Sequence, residues 1–174
     1  MDPFTTLGIE PRFDLQLSDV EKRYRDLSKT LHPDRYVGRP ASERRMALNK
    51  AIEVNEAWRA VRDPIARAEA LLRRGGVDID EASAPTTRPD FLMEMMELRE
   101  ALAEAREKRD AAALARLTQD VQQREEAILS QLTAQFDAAA DDTGQLARCV
   151  VPLSQLRFVR RFLDEASAAE EDLT

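Results

Sequence analysis

A chain of 174 residues has room for one large domain or two small ones. Its 43% hydrophobic and 34% charged residues, with only five Gly, are the composition of an all-helical protein and disfavour β-rich classes. The net charge of −7, with no stripe of Arg and Lys interleaved with aromatics, sets nucleic acid aside as a partner, because phosphate neutralisation supplies most of that affinity.

Asp2-Pro3-Phe4-Thr5-Thr6-Leu7-Gly8 reads as a short helix closed by Gly8, with Phe4 and Leu7 available to pack on the helices after it. The next helix has a start signal at Ser18-Asp19-Val20-Glu21, a capping box in which the Ser18 hydroxyl takes one orphan N–H and Glu21 reaches back. Val20, Tyr24, Leu27 and Leu31 then fall on one helical face. Lys22, Arg25 and Lys29 cluster on the opposite side, as a basic ridge that is either a plain solvated face or a docking surface.

Leu31-His32-Pro33-Asp34 stops this helix, since the residue before proline leaves the α region and proline donates no N–H. After a polar loop through Gly38 and Pro40, a second helix starts near Ala41 and ends before Asp63-Pro64, with Ala47, Ala51, Val54, Trp58 and Val61 on one face. The two make a helical hairpin. A further helix, Ile65 to Arg74, closes at Gly75-Gly76 and completes a compact unit of residues 1–76.

Residues 77–89 have no sustained period and contain two prolines, which predicts an interdomain linker. Three helices are predicted beyond it, at about Asp90–Arg109, Ala111–Ala139 and Gly144–Ala168. Leu114, Leu117, Val121, Ile128, Leu132 and Phe136 give the middle one a heptad-like seam, and short connections imply a three-helix bundle over 90–174. Pro152 lies inside the last pattern and predicts a kink or break there. The two halves differ in charge: residues 1–76 hold 15 basic against 12 acidic side chains, residues 77–174 hold 11 against 21, so each half should meet a different partner.

Phe91, Met95, Leu98, Leu102 and Ala105 form one stripe of the first bundle helix, enough to pack it. Leu92, Met93 and Met96 then form an apolar patch elsewhere, bordered by Glu97, Arg99 and Glu100: a binding surface, or a helix covered on both sides. Phe158 lies off the stripe of Leu146, Val150, Leu153 and Leu156 and belongs either to the patch or to the core.

A single histidine and a single cysteine at unrelated positions, with no Gly-rich phosphate loop, leave no parts for an enzyme, a metal site or a cofactor. Lone Cys149 suits a reducing compartment, by default the cytoplasm. Neither a leader at Met1-Asp2-Pro3-Phe4 nor an apolar run long enough for a membrane span is seen, so no membrane partner is expected.

His32-Pro33-Asp34, between a basic helix and its hairpin partner, is the motif on which residues 1–75 resemble a J domain, together with Asn55-Glu56-Ala57-Trp58-Arg59-Ala60-Val61-Arg62-Asp63-Pro64. Asp63 to Leu72, Phe91 to Glu100 and Leu156-Arg157-Phe158 extend the likeness over nearly the whole chain, which resembles the HscB-type J-domain co-chaperones. That resemblance implies two partners. One is an ATPase chaperone of the HscA or DnaK type, whose ATP hydrolysis the J domain stimulates; Lys22, Arg25, Lys29, His32, Pro33 and Asp34 would meet its acidic groove. The other is an iron–sulfur scaffold protein of the IscU type, bound through Leu92, Met93, Met96, Glu97, Arg99, Glu100 and Phe158. A general J protein with another client, or with an oligomerising C-terminal bundle, is the alternative. Met96 stands where the family leads one to expect Leu.

Overall fold

The computed structural model describes residues 1–79, 89–139 and 142–173, with the backbone only at Leu173. It divides into two compact units, Met1–Val77 and Asp78–Thr174, and all regular structure among the described residues is helical.

In the first unit Asp2 caps α1 (Pro3–Leu7) by accepting from the Phe4 N–H, and Pro3 occupies the first helical position, where its missing donor costs nothing. Gly8 closes the helix at φ 63, as the sequence predicts, and Phe4 and Leu7 are each 1% exposed beneath it. A side chain at Gly8 would strike the guanidinium of Arg23, which lies over the turn and donates from Nε to the Leu7 carbonyl. Arg23 therefore fastens α2 (Leu17–Thr30) to the end of α1.

The capping box expected at Ser18 does not form. Helix α2 begins two residues earlier, with Gln16 as its cap residue, and Glu21 reaches forward to Arg25 at 2.6 Å instead of back to a cap N–H. The i,i+4 ion pair has claimed the carboxylate that the box required.

Helices α2 and α3 (Ala41–Arg62) pair as the expected hairpin. Tyr24 stacks on Trp58 with ring centroids 5.4 Å apart and donates its hydroxyl to the Asn55 side-chain carbonyl at 2.9 Å. Val20, Ala47, Val54, Ala57 and Val61 fill the space between the helices. Asp63 ends α3 and caps α4 (Pro64–Arg74), again with proline at the first position. Arg67 of α4 is buried; it donates to the Val61 carbonyl at 2.9 Å and lies 4.9 Å from the centroid of the Phe13 ring. Burial pushes its pKa down, opposed by Asp63 and Asp14.

Val77 is still buried in the first unit and its N–H bonds to the Leu72 carbonyl at 2.9 Å, while Pro89 already opens α5 (Pro89–Glu107). Most of the expected linker, residues 80–88, lies outside the described residues.

The second unit is the expected three-helix bundle. Helix α6 (Ala111–Ala139) packs along α8 (Val150–Leu173), and α5 lies against both. Leu114, Val121 and Leu132 of α6 meet Leu153, Leu156, Val159 and Phe162 of α8, all 1% exposed or less. Each such side chain contributes about 1.5–3 kcal/mol on removal from water. Of the predicted seam on α6 only Leu117 is half-exposed.

The break expected near Pro152 is present just before it. The last helical pattern divides into α7 (Thr143–Leu146), a 3₁₀ turn over Ala147–Cys149, and α8. Pro152 thereby falls in the first turn of α8, where a missing N–H is tolerated.

Candidate functional site

The loop after α2 carries the tripeptide. Proline at 33 drives residues 33–36 into a single 3₁₀ turn with His32 as its cap residue. His32 Nδ1 faces the Asp34 N–H at 3.4 Å and the Asp34 carboxylate at 3.5 Å, and the Arg35 N–H bonds to the His32 carbonyl at 3.0 Å. The other ring nitrogen, Nε2, lies on the far side of the imidazole from this turn. The two side chains remain 59% and 85% exposed, so neither supports the core. Held by their own turn, an imidazole and a carboxylate are offered outward on a stiffened backbone.

Lys22, Arg25 and Lys29 are exposed on the α2 face away from the core, as the wheel predicts. Arg25 meets Glu21 at 2.6 Å and Lys29 approaches Asp26 at 4.0 Å. Such exposed pairs are weak, on the order of 0–1 kcal/mol, and yield to a stronger external anion. Arg23, in the middle of the same run, is set apart by its bond to Leu7 and plays a structural part.

On the second unit, α5 turns Met95, Leu102 and Ala105 inward and leaves Met93 and Met96 62% and 63% exposed. Leu92 is half-buried beside them, and Glu97 and Glu100 are exposed on the same outward side. The i,i+3 and i,i+4 spacings bring Met93, Met96, Leu92 and Glu100 onto one continuous surface. Arg99 stands at its flank with its guanidinium 3.1 Å from Glu165 of α8, so it is partly engaged within the bundle. Glu94 is tied to Arg124 of α6.

Phe158 resolves into both of its alternatives at once. It is half-buried, and its ring meets Phe91 edge-on at 6.2 Å and 67°, so it supports the first turn of α5 while one part of it stays exposed. Gln155, one turn earlier on α8, lines an open groove with Asp90, Phe91, Met93, Glu94 and Glu97. The sequence did not single out Gln155, because a lone Gln on a helix carries no pattern.

Two exposed apolar residues on the outward face of α3, Leu48 and Ile52, also escaped the sequence reading. Their i,i+4 spacing was the available signal, masked by the stronger stripe of the opposite face. Among the described residues no group of three or more His, Cys, Asp or Glu is arranged to hold a metal ion, and no helix is long and apolar enough to cross a membrane.

Comparison with known proteins joins the two surfaces. Residues 2–69 match the family model of the DnaJ domain, and residues 87–167 match that of the HSCB C-terminal oligomerisation domain. The chain is 37% identical over 172 residues to a co-chaperone protein HscB homolog of Bordetella pertussis, covering 97% of this chain and 96% of that one. It is 33% identical over 166 residues to an HscB homolog of Neisseria meningitidis, covering 95% and 97%. The solved chaperone HscB from Vibrio cholerae has the same fold over the whole of both chains, with a TM-score of 0.86 at 29% identity. The crystal structure of human co-chaperone HscB shares that fold at a TM-score of 0.86 and 22% identity, over 97% of this chain and 81% of the human one. The chain therefore belongs to the HscB family of J-domain co-chaperones.

Proposed function

We propose that this co-chaperone delivers an iron–sulfur scaffold protein of the IscU type to an ATPase chaperone of the HscA or DnaK type and stimulates ATP hydrolysis by that chaperone. Residues 1–76 act as the J domain, 77–89 as the linker and 90–174 as the scaffold-binding domain. The observation that carries this reading is the exposure of two chemically different surfaces on two separate units: a basic helix ending in His32-Pro33-Asp34, and the apolar face of α5.

Lys22, Arg25 and Lys29 steer the first unit to an acidic groove on the chaperone, where charge complementarity mainly accelerates and orients association. His32 and Asp34 then make directed hydrogen bonds, and Pro33 keeps their turn from yielding. Hydrolysis takes place on the chaperone. Leu92, Met93 and Met96 supply the buried centre of the scaffold interface, with Glu97, Arg99 and Glu100 at the rim and Phe158 beneath its edge.

The test is steady-state ATP hydrolysis by a purified HscA-type chaperone, with this protein alone and with IscU. Stimulation by the protein that rises further when IscU is added is the expected result. Stimulation indifferent to IscU would leave a J protein with another client, and no stimulation at all would sink the co-chaperone mechanism.

The oligomerisation named in the description of the matching C-terminal family favours a second reading, in which the bundle joins copies of the chain. Sedimentation equilibrium of the protein alone separates the two: self-association that Leu92→Ala with Met96→Ala abolishes would assign the α5 face to a second copy.

A further inference from the structure

Three methionines lie within four residues on α5, and the fold treats them differently. Met95 is 5% exposed in the bundle core, whereas Met93 and Met96 present their thioethers to solvent at 62% and 63% exposure. The outward pair also occupies the middle of the face proposed for the scaffold.

We infer that Met93 and Met96 are a reversible oxidation site at which peroxide switches scaffold binding off; the regulatory half of this inference rests on the scaffold reading of the α5 face. The chemistry is a two-electron oxygen transfer from a peroxide. A sulfur lone pair attacks one peroxide oxygen, the S–O bond forms as the O–O bond breaks, and the remaining oxygen leaves as water. Sulfur is oxidised and the peroxide reduced. Methionine sulfoxide reductases reverse the step with two thiols, which become a disulfide as the oxygen leaves as water.

The surroundings make the sulfoxide costly at an interface. Its oxygen is a strong hydrogen-bond acceptor, so burying it against a partner requires a donor. The residues one helical turn on, Glu97 after Met93 and Glu100 after Met96, are carboxylates and offer none when ionised. The nearby cation, Arg99, stands at the flank of the face and directs one guanidinium nitrogen to Glu165 at 3.1 Å. Leucine at both positions keeps the volume and the apolar character and removes the reactive sulfur.

The experiment exposes the full-length protein to hydrogen peroxide, locates added oxygen by peptide mass spectrometry, and measures binding to purified IscU by calorimetry. Met93 and Met96 are expected to gain oxygen well before Met95, and affinity to fall about tenfold or more and return after treatment with the reductases and a thiol. The variant carrying Met93→Leu and Met96→Leu is compared with its own untreated state, and its affinity for IscU is expected to be the same before and after the treatment, although exposed Met1 and Met46 remain in it to be oxidised. Oxidation of Met95 as fast as its neighbours overturns the modification site. Equal affinity of oxidised and untreated protein, or equal loss in the double-leucine variant, overturns the switch. Absence of binding before any peroxide is added overturns the scaffold reading and the switch with it, while the mass spectra still decide the modification site.

Discussion

The rings of Phe91 and Phe158 meet edge-on at 6.2 Å, joining the first turn of α5 to the middle of α8. This contact lies at the edge of the outward apolar face, so it couples the stability of the bundle to the geometry of that face. Such a pair contributes about 0.5–1.5 kcal/mol beyond the area it buries.

Phe158→Ala is therefore expected to act on both properties. The second unit should lose about 1–3 kcal/mol of stability in urea unfolding, and scaffold binding should weaken as the first turn of α5 loosens. Phe158→Leu, which keeps part of the contact, should fall between. Full stability with lost binding would instead make Phe158 a direct contact and nothing more.

Leu92→Ala combined with Met96→Ala should separate the two properties. Met96 is 63% exposed and Leu92 only half-buried, so the fold should lose less than about 1.5 kcal/mol. Binding to IscU should weaken about tenfold to a hundredfold, because apolar anchors at the centre of an interface carry most of its energy. Calorimetry that finds the affinity unchanged would move the interface off α5.

His32→Gln and Asp34→Asn should each abolish stimulation of the chaperone and leave the helicity and melting temperature of the protein nearly unchanged. Both side chains are more than half exposed, and the turn that bears them is held by proline and backbone bonds. Circular dichroism beside the ATPase assay checks both halves; a mutant that lost helicity would show the motif to be structural.

The elements whose ends are marked by proline and glycine were legible in the sequence. Asp2-Pro3, Gly8, Pro33 and Asp63-Pro64 all act where local chemistry says they should, because a fixed φ or a missing N–H leaves the backbone few choices. Ser18 misled because the helix starts ahead of it at Leu17, which puts Ser18 inside the first turn instead of at the cap and leaves Glu21 to pair with Arg25. The outward patch on α5 was legible from helical geometry. The tether of Arg99 to Glu165 and the contact of Phe91 with Phe158 were not, since both join residues more than sixty positions apart.

Gly8→Ala should destabilise the first unit by about 2 kcal/mol. The residue has φ 63, which costs an L side chain about 1–2 kcal/mol, and the new methyl group would displace Arg23 from the Leu7 carbonyl. The added part of the loss should be missing when the same change is made in an Arg23→Ala background, where the double-mutant cycle reports the coupling directly. Equal losses in both backgrounds would mean that Arg23 does not hold the turn.

Cys149 ends the 3₁₀ turn ahead of α8, with its side chain fully buried, and burial pushes its thiol pKa up to about 11. The thiolate is the reactive form, so at about pH 8 the native protein should be alkylated far more slowly than the protein in urea. The same shift has a consequence for stability. Between the ordinary thiol range, near 9, and about 11, the native state holds a proton that the unfolded state has released. Stability must then fall as the pH rises through that window, by at most about 1.4 kcal/mol per pH unit, and level off above it. Tyrosines and lysines titrate in the same range, but Cys149→Ala retains them all. The difference in unfolding free energy between wild type and Cys149→Ala should therefore shrink from about pH 8 to about pH 11. A difference that stays constant with pH, or rapid alkylation of the native protein, would mean that the turn before α8 opens readily to water.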